Sequence, residues 1–82
     1  MPEMILVTIS WKEYERDFEL PSSRPFSQWE ESLRSVLRQA FPGILLSDRK
    51  IRLYCKGICI QENETLKQWG IWDGSRLKLV VE

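Results

Sequence analysis

The chain opens on an alternation that suits an extended strand: in MILVTISW, residues Ile5, Val7, Ile9 and Trp11 share one side at a period of two, and β-branched residues are enriched. This predicts a strand inside a sheet. After the polar stretch from Lys12 to Arg16, Phe18 and Leu20 alternate with Asp17 and Glu19. That pattern fits an antiparallel partner strand with one covered face, its carboxylates turned to water. Pro21-Ser22-Ser23-Arg24-Pro25 ends the strand, and Pro25 suits the first turn of a helix, where its missing N–H costs nothing. Ser27 and Glu30 have the spacing of a capping box and give a competing start, so a helix is expected to begin near residues 24 to 27. Phe26, Trp29, Leu33, Val36, Leu37, Ala40 and Phe41 then form the apolar stripe of a helix lying on a sheet. Glu30, Glu31, Arg34 and Arg38 fall on its other side, with Glu30 and Glu31 placed to pair with Arg34.

Pro42-Gly43 stops the helix, and Ile44-Leu45-Leu46-Ser47-Asp48 has the profile of a loop that plugs one end of the core. KIRLYCKG alternates again, with Ile51, Leu53 and Cys55 on one face and Arg52, Tyr54 and Lys56 on the other. Gly57 marks a tight turn into the short apolar segment Ile58-Cys59-Ile60. Thr65 to Gly70 reads as one helical turn with a Thr cap and a Gly stop. Asp73-Gly74 gives another turn, and RLKLVV closes the chain as a strand with Leu77, Leu79 and Val81 inward. There is no internal repeat, linker or low-complexity tract.

Composition narrows the chemistry. The 82 residues are enough for a single small domain, 1–82, and the 43% hydrophobic share is enough to fold it. Twelve Lys and Arg balance twelve Asp and Glu, so the broad basic footprint of a nucleic-acid binder is missing. Histidine is absent, which excludes histidine triads, histidine metal sites and a histidine pH switch. No apolar run approaches the roughly 18 residues that span a bilayer, and the amino end lacks the pattern of a secretory signal, so a cytoplasmic chain without membrane insertion is expected. Cys55 and Cys59 are too few for a disulfide framework or a zinc site; packed thiols are expected, with a redox pair or half of an intermolecular metal site as the alternatives. No cofactor is implied.

Strand, strand, helix, strand, short strand, helical turn, strand is the β-grasp order. The stretch IRLYCKGICIQENETLKQWGIWDGSRLKLVV resembles ubiquitin in its cadence: a strand ending in Gly57, a loop to Thr65-Leu66, then Trp69, Ile71 and a closing strand. The resemblance implies an α+β fold, a ubiquitin-like β-grasp with a mixed sheet of four to five strands packed on one main helix. More closely, the chain resembles the small bacterial ubiquitin-like proteins called YukD or EsaB, associated with type VII (WXG-type) secretion. VTISWKEY before Phe18 and Leu20, Pro25 opening the helix, and LKQWGIWDGSRLKLV at the close carry that likeness. Many ubiquitin relatives keep a diglycine tail where this sequence has Leu79-Val80-Val81-Glu82.

Conjugation and sulfur carriage need a slender, flexible terminus that Val81 and Glu82 do not supply, so a modifier or sulfur carrier is disfavoured. Catalysis is not expected either: without histidine no base and nucleophile are suitably spaced, and Glu30 and Glu31, neighbours on a helix, point apart. Protein binding remains, and the sheet face turned from the helix is its natural place. Its outward set is Arg52, Tyr54 and Lys56 on the third strand and Arg76, Lys78 and Val80 on the last. Ubiquitin has an apolar patch at positions matching Tyr54 and Val80, so the resemblance implies a smaller, more basic version here. Trp11 and Trp72 are candidates for partial exposure, and the loop from Lys12 to Arg16 is a further contact candidate. The resemblance implies an accessory or regulatory part of a type VII secretion system, docked on the cytoplasmic part of a membrane complex. The alternative is a small auxiliary ubiquitin-like subunit of a multicomponent monooxygenase. A homodimer through a strand edge is a further expectation.

Overall fold

The amino-terminal alternation forms β1, Met4–Trp11, and β2, Tyr14–Pro21, antiparallel and in register from Met4 opposite Pro21 to Trp11 opposite Tyr14. The structure is a computed structural model that describes residues 3–82. The hairpin is tighter than the polar stretch from Lys12 to Arg16 suggests, because only Lys12 and Glu13 separate the strands. Trp11 and Tyr14 stack across the strand pair with centroids 6.2 Å apart, which pulls Tyr14 into the ladder. Lys12 takes a left-handed φ of 55° to make the turn.

Helix α1, Phe26–Ala40, starts one residue after Pro25, which is the extended cap residue itself. No side chain caps the helix, and the capping box of Ser27 and Glu30 does not form. The first two helical N–H groups are instead taken by the distant loop, Phe26 donating to the Glu64 carbonyl and Ser27 to the Glu62 carbonyl, both at 3.0 Å. Phe26, Trp29, Leu33 and Leu37 are buried on the sheet, and Phe41 follows them into the core. Val36 is not, at 47% exposed. It overhangs β2, an edge strand, where the sheet ends and none of the described residues lies beyond to cover it.

After the helix, Ile44 and Leu46 plug the core end while Leu45 between them points to solvent. Arg34 fixes this loop by donating to the Leu46 carbonyl at 3.1 Å and to the Arg49 carbonyl, and its guanidinium lies 3.5 Å from Glu30. Strands β3, Ile51–Cys55, and β4, Ile58–Cys59, form the second hairpin. Residues 66–70 form a single turn with the expected punctuation: Thr65 and Gln68 cap each other at 2.8 and 3.1 Å, and Gly70 ends it with a φ of 70°.

Strand β5, Arg76–Val81, joins the two hairpins: it lies parallel to β1 and antiparallel to β3. The order is β2-β1-β5-β3-β4, one mixed five-stranded sheet with α1 on a single face. This is the α+β β-grasp arrangement expected from the element order. One face of the sheet is therefore buried under the helix, and the other is left open.

Candidate functional site on the open sheet face

Alternation along β3 and β5 sends Ile51, Leu53, Leu77 and Leu79 into the core and leaves Arg52, Tyr54, Arg76, Lys78 and Val80 on the open face. The antiparallel register sets Arg52 opposite Val80 and Tyr54 opposite Lys78. On the other side of β5, the parallel pairing puts Thr8 beside Arg76 and Ser10 beside Lys78. Five of the six expected residues thus share one face.

Lys56 reaches the same place by a different route. It lies beyond β3, in the two-residue turn Lys56-Gly57, with φ values of 52° and 82° that a type I′ hairpin turn requires. Strict alternation therefore does not assign its direction, because the strand has already ended. Even so, Lys56 and Gly57 line one shallow depression of about 310 Å³ together with Tyr54, Lys78, Val80 and Ser10.

The four cations are not equivalent. Arg52 donates through Nε to Glu82 at 2.9 Å, and its Nη1 lies 3.9 Å from the Cys59 sulfur. These hydrogen bonds, that to Glu82 foremost, push the guanidinium pKa further above its already high ordinary range. Arg76 is paired with Glu15 at 2.8 Å. Lys56 and Lys78 have no carboxylate within 4.0 Å among the described residues. The uncommitted charge is two ammonium groups around a half-buried tyrosine and a valine. Such a surface can seat an acidic side chain against an apolar rim.

The remaining candidates separate. Cys55 and Cys59 are both free and half-buried; Cys59 pairs with Tyr54 and Cys55 with Ile58, so the thiols point to opposite sides of the sheet. Glu30 is engaged by Arg34. Trp11 is half-buried against Phe41 at 5.7 Å, with the Lys12 ammonium 4.7 Å from its ring. Trp72 is 50% exposed. It begins a turn locked to β1, where Leu6 N–H donates to Asp73 Oδ1 at 2.7 Å and Gly74 N–H to the Leu6 carbonyl at 2.8 Å. Sequence reasoning missed Met4 and Leu6, exposed apolar side chains on β1. The signal was present: both occupy the outward phase of a strand where a one-sided sheet carries polar residues. Among the described residues, no helix is long and apolar enough to cross a membrane.

No protein-family model and no curated protein matches the chain. Solved structures do. The ubiquitin-like domain of EccD5 from Mycobacterium xenopi is similar with a TM-score of 0.80 at 22% identity, over 99% of this chain and 97% of that one. The ubiquitin-like domain of the type VII secretion system protein EccD1 from Mycobacterium tuberculosis gives 0.74 at 23% identity, over 95% and 98%. A chain of the MycP5-free ESX-5 inner membrane complex gives 0.75 at 20% identity, over 99% of this chain and 21% of its own length. The fold is ubiquitin-like.

Proposed function

We propose that the chain is a ubiquitin-like protein-binding module, an accessory or regulatory part of a bacterial type VII secretion system that acts without catalysis of its own. The partner is an acidic surface on a cytoplasmic portion of the membrane complex, and the chain works at that complex's periphery. The observation that carries this reading is the Tyr54 and Lys78 pair, opposed on the open sheet face, with Val80 and Lys56, which has no carboxylate partner among the described residues, in the same depression. Tyrosine anchors recur at interfaces, and unpaired lysines beside one favour a carboxylate-bearing partner. Likeness to the EccD1 and EccD5 domains supports a place in such a machine.

The test is affinity capture of the tagged protein from detergent-solubilised host membranes, read by mass spectrometry, with a Tyr54→Ala/Lys78→Glu variant alongside. Secretion-system membrane proteins are expected with the unaltered chain and are depleted with the variant. Oxygenase subunits in their place would establish the auxiliary-subunit alternative, and a ladder of covalent adducts would establish conjugation. Equal capture by both chains would move the docking surface off this face.

A further inference from the structure

The sheet has a second feature, separate from the Tyr54 and Lys78 face: the outer edge of β2. Leu6 and Thr8 turn their N–H groups away from β2, to Asp73 Oδ1 at 2.7 Å and the Ser75 carbonyl at 2.9 Å. In an antiparallel ladder, opposed residues that do not bond each other both face outward. Leu6 opposes Glu19 and Thr8 opposes Asp17, so the main-chain N–H and C=O groups of Glu19 and Asp17 point off the edge of the sheet. Both ends of this edge are closed. Pro21 has no N–H to offer, and Arg16 Nη1 covers the Glu15 carbonyl at 2.8 Å. The middle is open.

Directly beside this open stretch runs a groove of about 490 Å³ between β2 and α1, with Phe18, Leu20, Trp29, Leu33 and the overhanging Val36 in its lining. A strand added to the edge would point alternate side chains into that groove and the others along the open face, beside Asp17 and Glu19. Asp17 and Glu19 select the second set. Arg24, the one cation in the lining, follows Pro21 in sequence and so lies past the open stretch. A second copy of the chain is a poor occupant, because β2 pairing with β2 symmetrically about Phe18 opposes Asp17 to Glu19 twice.

We propose that the β2 edge binds an extended segment of a partner protein in which basic and apolar residues alternate, the apolar ones entering the groove and the basic ones flanking Asp17 and Glu19. The inference does not rest on the sheet-face reading, so the chain has two independent docking surfaces of opposite charge preference.

The probe is the blocked heptapeptide acetyl-Lys-Val-Lys-Val-Lys-Val-Lys-amide, with the same peptide carrying Glu for Lys as its counterpart, titrated into the ¹⁵N-labelled chain. Binding of the lysine peptide is expected to shift amides of residues 16–21 and of the adjoining side of α1, and to slow hydrogen exchange at Asp17 and Glu19. Glu19→Lys is expected to weaken that peptide about threefold and to favour the glutamate one. Val36→Lys, at an exposed position, is expected to weaken it about tenfold with an unchanged melting temperature. Equal uptake of the two peptides, shifts centred on Tyr54 and Lys78, or self-association through β2 without peptide would each overturn the proposal. Apart from shifts centred on Tyr54 and Lys78, none of these results bears on capture by the Tyr54→Ala/Lys78→Glu variant.

Discussion

Tyr54 and Lys78 face each other across the antiparallel β3 and β5 ladder, one step along from the buried Leu53 and Leu79 pair. Neighbouring positions in one ladder therefore carry opposite duties, and substitution can separate them. Tyr54→Ala with Lys78→Glu removes side chains from the open face without opening the core. Cooperative urea unfolding is expected to survive, with a loss of about 1 kcal/mol, while partner capture falls. A broadened or multiphasic transition would show that Tyr54 supports the sheet itself.

Leu53 and Leu79 behave the other way. Leu53 is fully buried and Leu79 nearly so, and they are opposed in register. Either Leu→Ala change should cost about 2–5 kcal/mol through lost burial and a residual cavity. A domain of this size has total stability of about 4–12 kcal/mol, so the loss threatens folding at ambient temperature. Since the two side chains share one contact, the double variant is expected to lose less than the sum of the two, measured by urea denaturation of all three chains.

The same contrast marks what the sequence discloses. Both hairpins, the helix and the inward residues of β5 follow from local periodicity, because a two-residue or three-to-four-residue repeat is visible in adjacent letters. Local pattern fails where an element ends or a partner is remote. Val36 fits the helical stripe, yet its burial depends on how far the sheet extends beneath it. The helix start is satisfied by carbonyls of Glu62 and Glu64, more than thirty residues away in sequence, which no capping motif announces. On the candidate face, alternation places Arg52 and Lys78 alike; only tertiary structure shows that Glu82 holds the first, while the second has no acidic partner among the described residues.

That pairing makes Arg52 the weaker contributor to docking and gives it a defined pH behaviour. Hydrogen bonds to Glu82 and Cys59 raise the guanidinium pKa in the folded chain. A raised pKa means a stabilising contribution fully present below the ordinary arginine range and lost only as pH climbs through the higher folded value. The stability difference between the unaltered chain and Arg52→Ala should thus stay flat from about pH 6 to 9 and shrink with added salt, as for an exposed ion pair. A slope in that window would assign the effect to a different titrating group.

Tryptophan fluorescence reads the surface directly. Trp29 is buried and donates to the Arg24 carbonyl at 3.0 Å, whereas Trp72 is 50% exposed at the turn against β1. Acrylamide should quench the Trp72 emission first, and Trp72→Phe should remove most of the quenchable fraction without changing the melting temperature. Retention of that fraction would locate the accessible indole at one of the two half-buried tryptophans, Trp11 or Trp69, instead.

Lys56 offers the sharpest division between stability and docking. Its left-handed backbone, φ 52°, sits in a turn whose first position favours Asn, Asp or Gly, because Gly lacks the Cβ that crowds the carbonyl there and the short polar side chains of Asn and Asp offset that crowding by bonding the local backbone. Lys56→Asn relieves that strain and should raise stability by about 0.5 kcal/mol, seen as a higher urea midpoint at unchanged slope. It also deletes one of the two ammonium groups lining the Tyr54 depression that lack a carboxylate partner among the described residues. If docking uses that charge, the stabilised variant captures less partner than the unaltered chain. Were capture to rise with stability, Lys56 would be a turn residue alone, and the docking charge would fall to Lys78.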